Sequence, residues 1–185
     1  MPSAIRSGRF IAAHPDCVFD RKPSIVLDTV VVHTMEGTLQ GTIAFFAQGK
    51  DQRPVPTAAH YCVGREGDVV QMVPDEKKCY HAGNYNSRSI GIEHEVRIDP
   101  WPVRRNKDGS VKAPPFPAGE YPEAMLQASA EVVRVLCEKY GIPKDREHVI
   151  GHSEVPGATH RDPGPGWEWE AYMAMVRDAP PRMDS

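Results

Sequence analysis

The sequence predicts an α/β fold, a single domain with a central mixed β-sheet flanked by helices. Three stretches predict it. Residues 25–34 (IVLDTVVVHT) form a nearly unbroken β-branched run, as in a strand buried on both faces. Residues 89–96 (SIGIEHEV) alternate in polarity, the pattern of a strand whose faces differ. Residues 122–140 repeat apolar side chains at helical spacing and are stopped by Gly141 and Pro143. A chain of 185 residues is long enough to enclose one full core.

In chain order, residues 1–24 are polar and read as an extended N-terminal arm over a domain at 25–178, with a tail at 179–185. Within the first strand Thr29, Val31 and His33 point to one face and Val30 and Val32 to the other. His33 ends that strand, where loops begin and chemistry concentrates. Residues 38–49 read as a helix capped by Thr38, with Ile43, Phe46 and Ala47 on one face and Gly49 at its end. Residues 59–63 and 68–73 read as a hairpin about the turn Gly64-Arg65-Glu66-Gly67, and 79–82 as a short strand before a polar turn at 83–88.

In 89–96, Ile90, Ile92 and Val96 share one face, and Gly91, Glu93 and Glu95 share the other. Two carboxylates on one side of a strand stand roughly 6–7 Å apart. Burying them unpaired is costly, so a nearby cation is expected, with Arg88, Arg97 and Arg104 as candidates. Residues 97–121 are too long for an ordinary connection and read as a surface loop beside a cleft. The long helix at 122–140 carries Ser129, Val132, Val133, Leu136 and Tyr140 on its repeat. A short strand at 148–150 and a final amphipathic helix at 167–176 complete the domain.

Composition removes several function classes. The net charge is −3 with no long basic run, which argues against nucleic-acid binding. No apolar run approaches ~18 residues, so membrane insertion is not expected. The first ten residues lack the apolar core of a signal peptide, which implies cytoplasmic synthesis. The four cysteines form no CxxC and read as small buried hydrophobes, with disulfide pairing unassignable from sequence.

The chemistry concentrates in residues 151–165, GHSEVPGATHRDPGP. Proline and glycine stiffen this loop, so its side chains lose little freedom on folding. His152 and Asp162 are suitable zinc ligands, and His33 at a strand end supplies a third. Two histidines and a carboxylate leave a fourth position open, and zinc there brings the pKa of water towards ~7. Glu93 is placed to take that water's proton and pass it to a leaving amine, and His160 to donate to a developing oxyanion. His60, His81, His94 and His148 are also possible ligands by type, and no HExxH motif decides among them.

The ordered stretches VVVHT, AAHYCVGREGDVVQMVP, YHAGN, SRSIGIEHE and GHSEVPGATHRDPGP resemble the zinc-dependent N-acetylmuramoyl-L-alanine amidases of the type 2 family. That family shares its fold with the amidase named as a lysozyme in T7-type phages and with peptidoglycan recognition proteins. The resemblance implies one Zn²⁺ per chain on His33, His152 and Asp162, with Glu93 as the catalytic glutamate. Some phage members carry a tyrosine where this chain has Ala59, which gives Glu93 added weight. Where the family often has lysine, two residues before the third ligand, this chain has His160.

The implied reaction is hydrolysis of the amide between N-acetylmuramic acid and L-alanine in peptidoglycan. His81, Asn84 and Arg88 are the expected substrate contacts, and Tyr85 and Trp101 are candidates to meet sugar rings. A monomer acting on the cell wall, secreted or released during phage lysis, is expected. The alternatives are a cytoplasmic muropeptide-recycling amidase and a non-catalytic peptidoglycan receptor of the same fold.

Overall fold

The computed structural model describes residues 8–98, 104–105, 107–108, 110–112 and 116–178. Its strands are β1 (Arg9–Phe10), β2 (Phe19–Asp20), β3 (Thr29–Thr34), β4 (Tyr61–Val63), β5 (Val69–Gln71), β6 (Lys77–Lys78), β7 (Ser89–His94), β8 (Arg104–Arg105), β9 (Val111–Lys112) and β10 (Val149–Gly151). Its helices are α1 (Leu39–Phe46), α2 (Glu123–Tyr140) and α3 (Trp169–Arg177). Six strands form one mixed sheet in the order β1-β5-β4-β7-β3-β10. Only the β4–β5 hairpin is antiparallel, and the other four pairings are parallel.

The alternation read in the two central strands decides the layers. Val30, Val32, Ile90 and Ile92 face α2 and α3, where Val132, Val133, Leu136, Met173 and Val176 bury against them. Each such aliphatic side chain contributes roughly 1.5–3 kcal/mol on full burial. Val31 faces the other way, onto Ala82, Ile150 and Val155. A further cluster on Leu39, Phe46, Cys62, Val70 and Met72 seats α1 against the hairpin.

Helix α2 follows its sequence signals. Pro122 precedes it, Glu123 favours its positive N-terminal end, and Gly141 closes it in a left-handed conformation with its N–H on Cys137 O. Helix α1 begins as expected, with Thr38 Oγ1 accepting from Gly41 N–H at 3.1 Å. It stops sooner than expected, at Phe46, because Ala47 already serves as its C-cap.

Three further expectations are corrected. Residues 8–24 are not an arm lying over a finished domain: β1 adds an edge strand to the main sheet, and Ala13 and Cys17 enter the core. The strand expected at 79–82 lies earlier, at β6, which pairs with β2. Trp167 precedes α3 and packs into the core. All four cysteines are buried and free. Residues 1–7, Trp101 and the tail at 179–185 lie outside the described residues. Among the described residues, no helix is long and apolar enough to cross a membrane.

Candidate active site

Parallel register assembles the site. Gly151 lies opposite Val32, so the next residue, His152, comes level with His33. His33 is in turn paired with Glu93 across β3 and β7. All three reach the carboxyl edge of parallel strands, where α/β sheets bind ligands. The loop after β10 then folds back, and Ser153 N–H donates to Asp162 O at 2.9 Å.

This return places the Asp162 carboxylate against both rings. Oδ2 lies 3.1 Å from His33 Nδ1, and Oδ1 lies 3.1 Å from His152 Nδ1. Ligand-type atoms of His33, His152 and Asp162 all lie within 4.8 Å of one another. Burial pushes the His33 imidazole pKa down, against the pull of Asp162. Burial alone would raise the Asp162 carboxyl, but hydrogen bonds from His152 and His33 hold it well below the usual range. Two imidazoles and one carboxylate are a donor set for a divalent metal.

A second grouping, His60, Cys79 and His81, also has its ligand-type atoms within 4.8 Å of one another. Its chemistry does not suit a cation. His60 Nδ1 accepts from Gly91 N–H at 3.0 Å, and its Nε2 lies 2.9 Å from the Arg21 guanidinium. Burial also pushes the Cys79 thiol far from ionisation.

The remaining histidines have other partners. His94 points to the opposite face of β7 and donates from Nδ1 to His33 O at 2.8 Å. Its Nε2 accepts from Ser129 Oγ at 2.6 Å, which in turn accepts from Tyr172 O–H at 2.6 Å. This buried run ties the backbone under His33 to α2 and α3. His148 bonds Asp145. His81 Nδ1 lies 3.0 Å from His33 Nε2.

Glu93 has no ion-pair partner among the described residues, and its Oε2 is buried without a hydrogen bond. Burial, then the charges of Asp162 and Glu36, push its carboxyl up to about 8. Neither Arg88 nor Arg97 supplies the expected cation. Arg88 is held by Asp28, Arg97 donates to Phe116 O, and the Arg104 side chain lies outside the described residues. Glu95 is engaged elsewhere: its oxygens accept from Leu39 N–H at 2.8 Å, at the start of α1, and from Arg65 N–H at 3.0 Å.

This electrostatics gives a stability prediction for the metal-free protein. The folded chain keeps the Glu93 proton between the ordinary 4.5 and about 8, whereas the unfolded chain releases it. Stability from this group is therefore full below that window and falls as pH rises through it. Glu93→Gln should remove the fall, gaining up to about 5 kcal/mol over the parent at the alkaline end and nothing at the acid end. Urea unfolding across pH checks this, and parallel pH profiles for the two proteins would refute it.

An open cleft of about 460 Å³ lies over these groups. It is lined by His33, His152, Asp162, Glu93, His81 and His160, and also by Tyr80 and Glu36, which the sequence reading did not single out. His160 is exposed and stacks on His152, with centroids 4.8 Å apart and planes 15° from parallel. Asn84 and Arg88 are exposed in the turn region after His81 and are not among the cleft-lining residues.

The fold recurs in solved structures. A selenomethionine derivative of AmpD matches with a TM-score of 0.70 at 23% identity, covering 94% of this chain and 96% of that one. N-acetylmuramoyl-L-alanine amidase A of Achromobacter lyticus is 28% identical over 165 residues, covering 80% of this chain and 81% of its own. The 1,6-anhydro-N-acetylmuramyl-L-alanine amidase AmpD of Salmonella typhimurium is 29% identical over 198 residues, covering 93% of this chain and 91% of its own. The relatives place the chain among hydrolases of amide bonds. A family model described as N-acetylmuramoyl-L-alanine amidase matches residues 21–165, and the chain belongs to that family.

Proposed function

We propose that this enzyme is a zinc-dependent amidase that cleaves the bond between N-acetylmuramic acid and L-alanine in wall glycopeptides, working as a monomer. The observation that carries the catalytic assignment is Glu93, whose Oε2 is buried without a partner beside the His33–His152–Asp162 group. His33, His152 and Asp162 would hold one Zn²⁺, which suits two imidazole nitrogens and a carboxylate. When bound, zinc supplies polarisation of the scissile carbonyl and acidification of the attacking water.

The chain's own groups do the rest. Glu93 takes a proton from water as the water oxygen bonds to the lactyl carbonyl carbon. As the carbon–nitrogen bond breaks, the same carboxyl passes that proton to the L-alanine nitrogen. His160, exposed at the cleft and steadied by its stack on His152, donates a hydrogen bond to the oxyanion. His160→Ala should lower kcat by about 10²-fold with zinc content unchanged, since His160 stacks on the ligand His152 without being a ligand itself. An unchanged kcat would remove His160 from the mechanism.

The substrate is an extended glycopeptide, which an open cleft admits more readily than a closed pocket would. His81 lines the cleft, and Asn84 and Arg88, exposed but outside its lining, would meet the substrate only beyond it. The site of action we favour is the polymeric wall, reached by secretion or phage release. A second reading, recycling of soluble muropeptides, draws on the similarity to AmpD over most of both chains. Release rates on intact peptidoglycan and on a soluble 1,6-anhydro muropeptide separate the two. Wall action requires release from the insoluble polymer, and turnover of the soluble compound alone would establish recycling instead.

A further inference from the structure

Arg53 carries a charge that the fold does not pair. It is only 6% exposed, yet its guanidinium donates to uncharged acceptors alone. Nη1 donates to Thr57 Oγ1 at 3.0 Å, and Nη2 to Thr57 O at 3.0 Å, Gln48 O at 3.1 Å and Cys17 Sγ at 3.4 Å. The Phe45 ring covers the guanidinium carbon at 3.9 Å, and Nε is buried without a partner. Among the described residues no carboxylate meets it. A guanidinium stays charged, and burying a charge without a counter-ion is costly.

Thr57 brings that charge to the cleft, which it lines together with Phe46, Ala58 and Tyr80. Ala58 N–H donates to Tyr80 O at 3.3 Å, so this wall is joined to the segment that carries His81. A guanidinium only donates, so Thr57 Oγ1 is the acceptor in its bond with Arg53. The Thr57 proton is then available to another acceptor, and no described group takes it. The hydroxyl is thus a donor with a full positive charge behind it. A hydrogen bond to an ionised acceptor is roughly twice as strong as a neutral one. Thr57 precedes β4 and His160 follows β10, and those strands flank β7 and β3 on opposite sides. The two residues therefore mark different ends of the cleft, with Glu93 and His33 between them.

We propose that Thr57, backed by Arg53, is the subsite for the free carboxylate that the stem peptide carries on the residue after L-alanine. This rests on the reading of the chain as an amidase acting on N-acetylmuramoyl-L-alanine. In such a substrate the N-acetylated sugar is uncharged, and the muramic carboxyl is consumed in the scissile amide. The remaining anions belong to the peptide, so a donor backed by a cation marks the peptide end of the cleft. A cleft of about 460 Å³ encloses only the start of a stem, which selects the carboxylate nearest the scissile bond.

The test is kcat/KM of zinc-loaded protein on muropeptides, and on the polymer that yields them, in two forms. The α-carboxyl of the second stem residue is free in one and amidated in the other. Wild type is expected to favour the free acid by about tenfold. The difference should lie in KM, because a contact remote from the scissile bond is made equally in ground and transition states. Thr57→Val should bring the ratio to within about threefold of unity, and Thr57→Ser, which keeps the hydroxyl, should hold it within about threefold of wild type. The ratio is read within one protein, so a variant that folds only in part still reports it. Equal kcat/KM on the two forms in wild type, or an unchanged ratio in Thr57→Val, would overturn the subsite. Equal loss of preference in Thr57→Val and Thr57→Ser would do so too, by making Thr57 a packing residue. Hydrolysis of neither form, as polymer or as muropeptide, would instead overturn the amidase reading and the subsite with it.

Discussion

Replacing Glu93 with glutamine is expected to lower kcat by about 10³-fold while the protein keeps its full complement of zinc. Glutamine preserves the size of the side chain and removes only the ability to accept and return a proton. In the structure Glu93 Oε2 is buried and unpartnered, and its carboxyl is pushed up to about 8. A general base poised near neutral pH both takes and releases its proton readily. Glu93 pairs with His33 through backbone register rather than through its side chain, so the substitution leaves His33, His152 and Asp162 in place. Zinc content by elemental analysis beside kcat makes the comparison. A variant within about tenfold of the parent would assign the proton transfer elsewhere.

Replacing Asp162 with alanine is expected to abolish zinc binding and reduce hydrolysis by more than about 10³-fold. Among the described residues this carboxylate lies between the His33 and His152 nitrogens, at 3.1 Å from each. Without it two imidazoles remain, too few ligands for a catalytic zinc. The fold should survive, because Asp162 anchors its loop partly through its own backbone carbonyl, which accepts from Ser153 N–H. Unfolding curves beside metal analysis distinguish loss of ligand from loss of fold. Full zinc occupancy in the variant would mean that the ligand set is wrong.

Much of the scaffold was legible because its signals are local. The β-branched run of β3, the alternation of β7, the turn at Gly64–Gly67 and the caps of α2 each depend on near neighbours in sequence. The edge strand β1 was not legible. Two residues carry no periodicity, and their role comes from pairing with β5 some sixty residues on. The β2–β6 pair was missed for the same reason.

The site divides along similar lines. His152 and Asp162 share one stiff loop, and His33 ends an obvious strand, so their residue types already suggested a common purpose. What brings them level is the parallel register of Gly151 with Val32 and of His33 with Glu93, which sequence does not print. The cation expected beside Glu93 is not there among the described side chains, because Arg88 and Arg97 are drawn to Asp28 and to Phe116 O. Glu95, on the same face by alternation, turns instead to the N–H of Leu39 at the start of α1. The contact of His81 with His33 depends on the missing side chain of Gly91, and a glycine in a strand gives no sign of what fills its place.

The measurement that bears most directly on the central claim is product analysis of purified peptidoglycan treated with zinc-loaded and with chelator-stripped protein. The account requires new L-alanine amino termini, no new reducing sugar ends, loss of release on chelation and its return with zinc. Release of amino groups from another stem residue, or undiminished release by stripped protein, would contradict it.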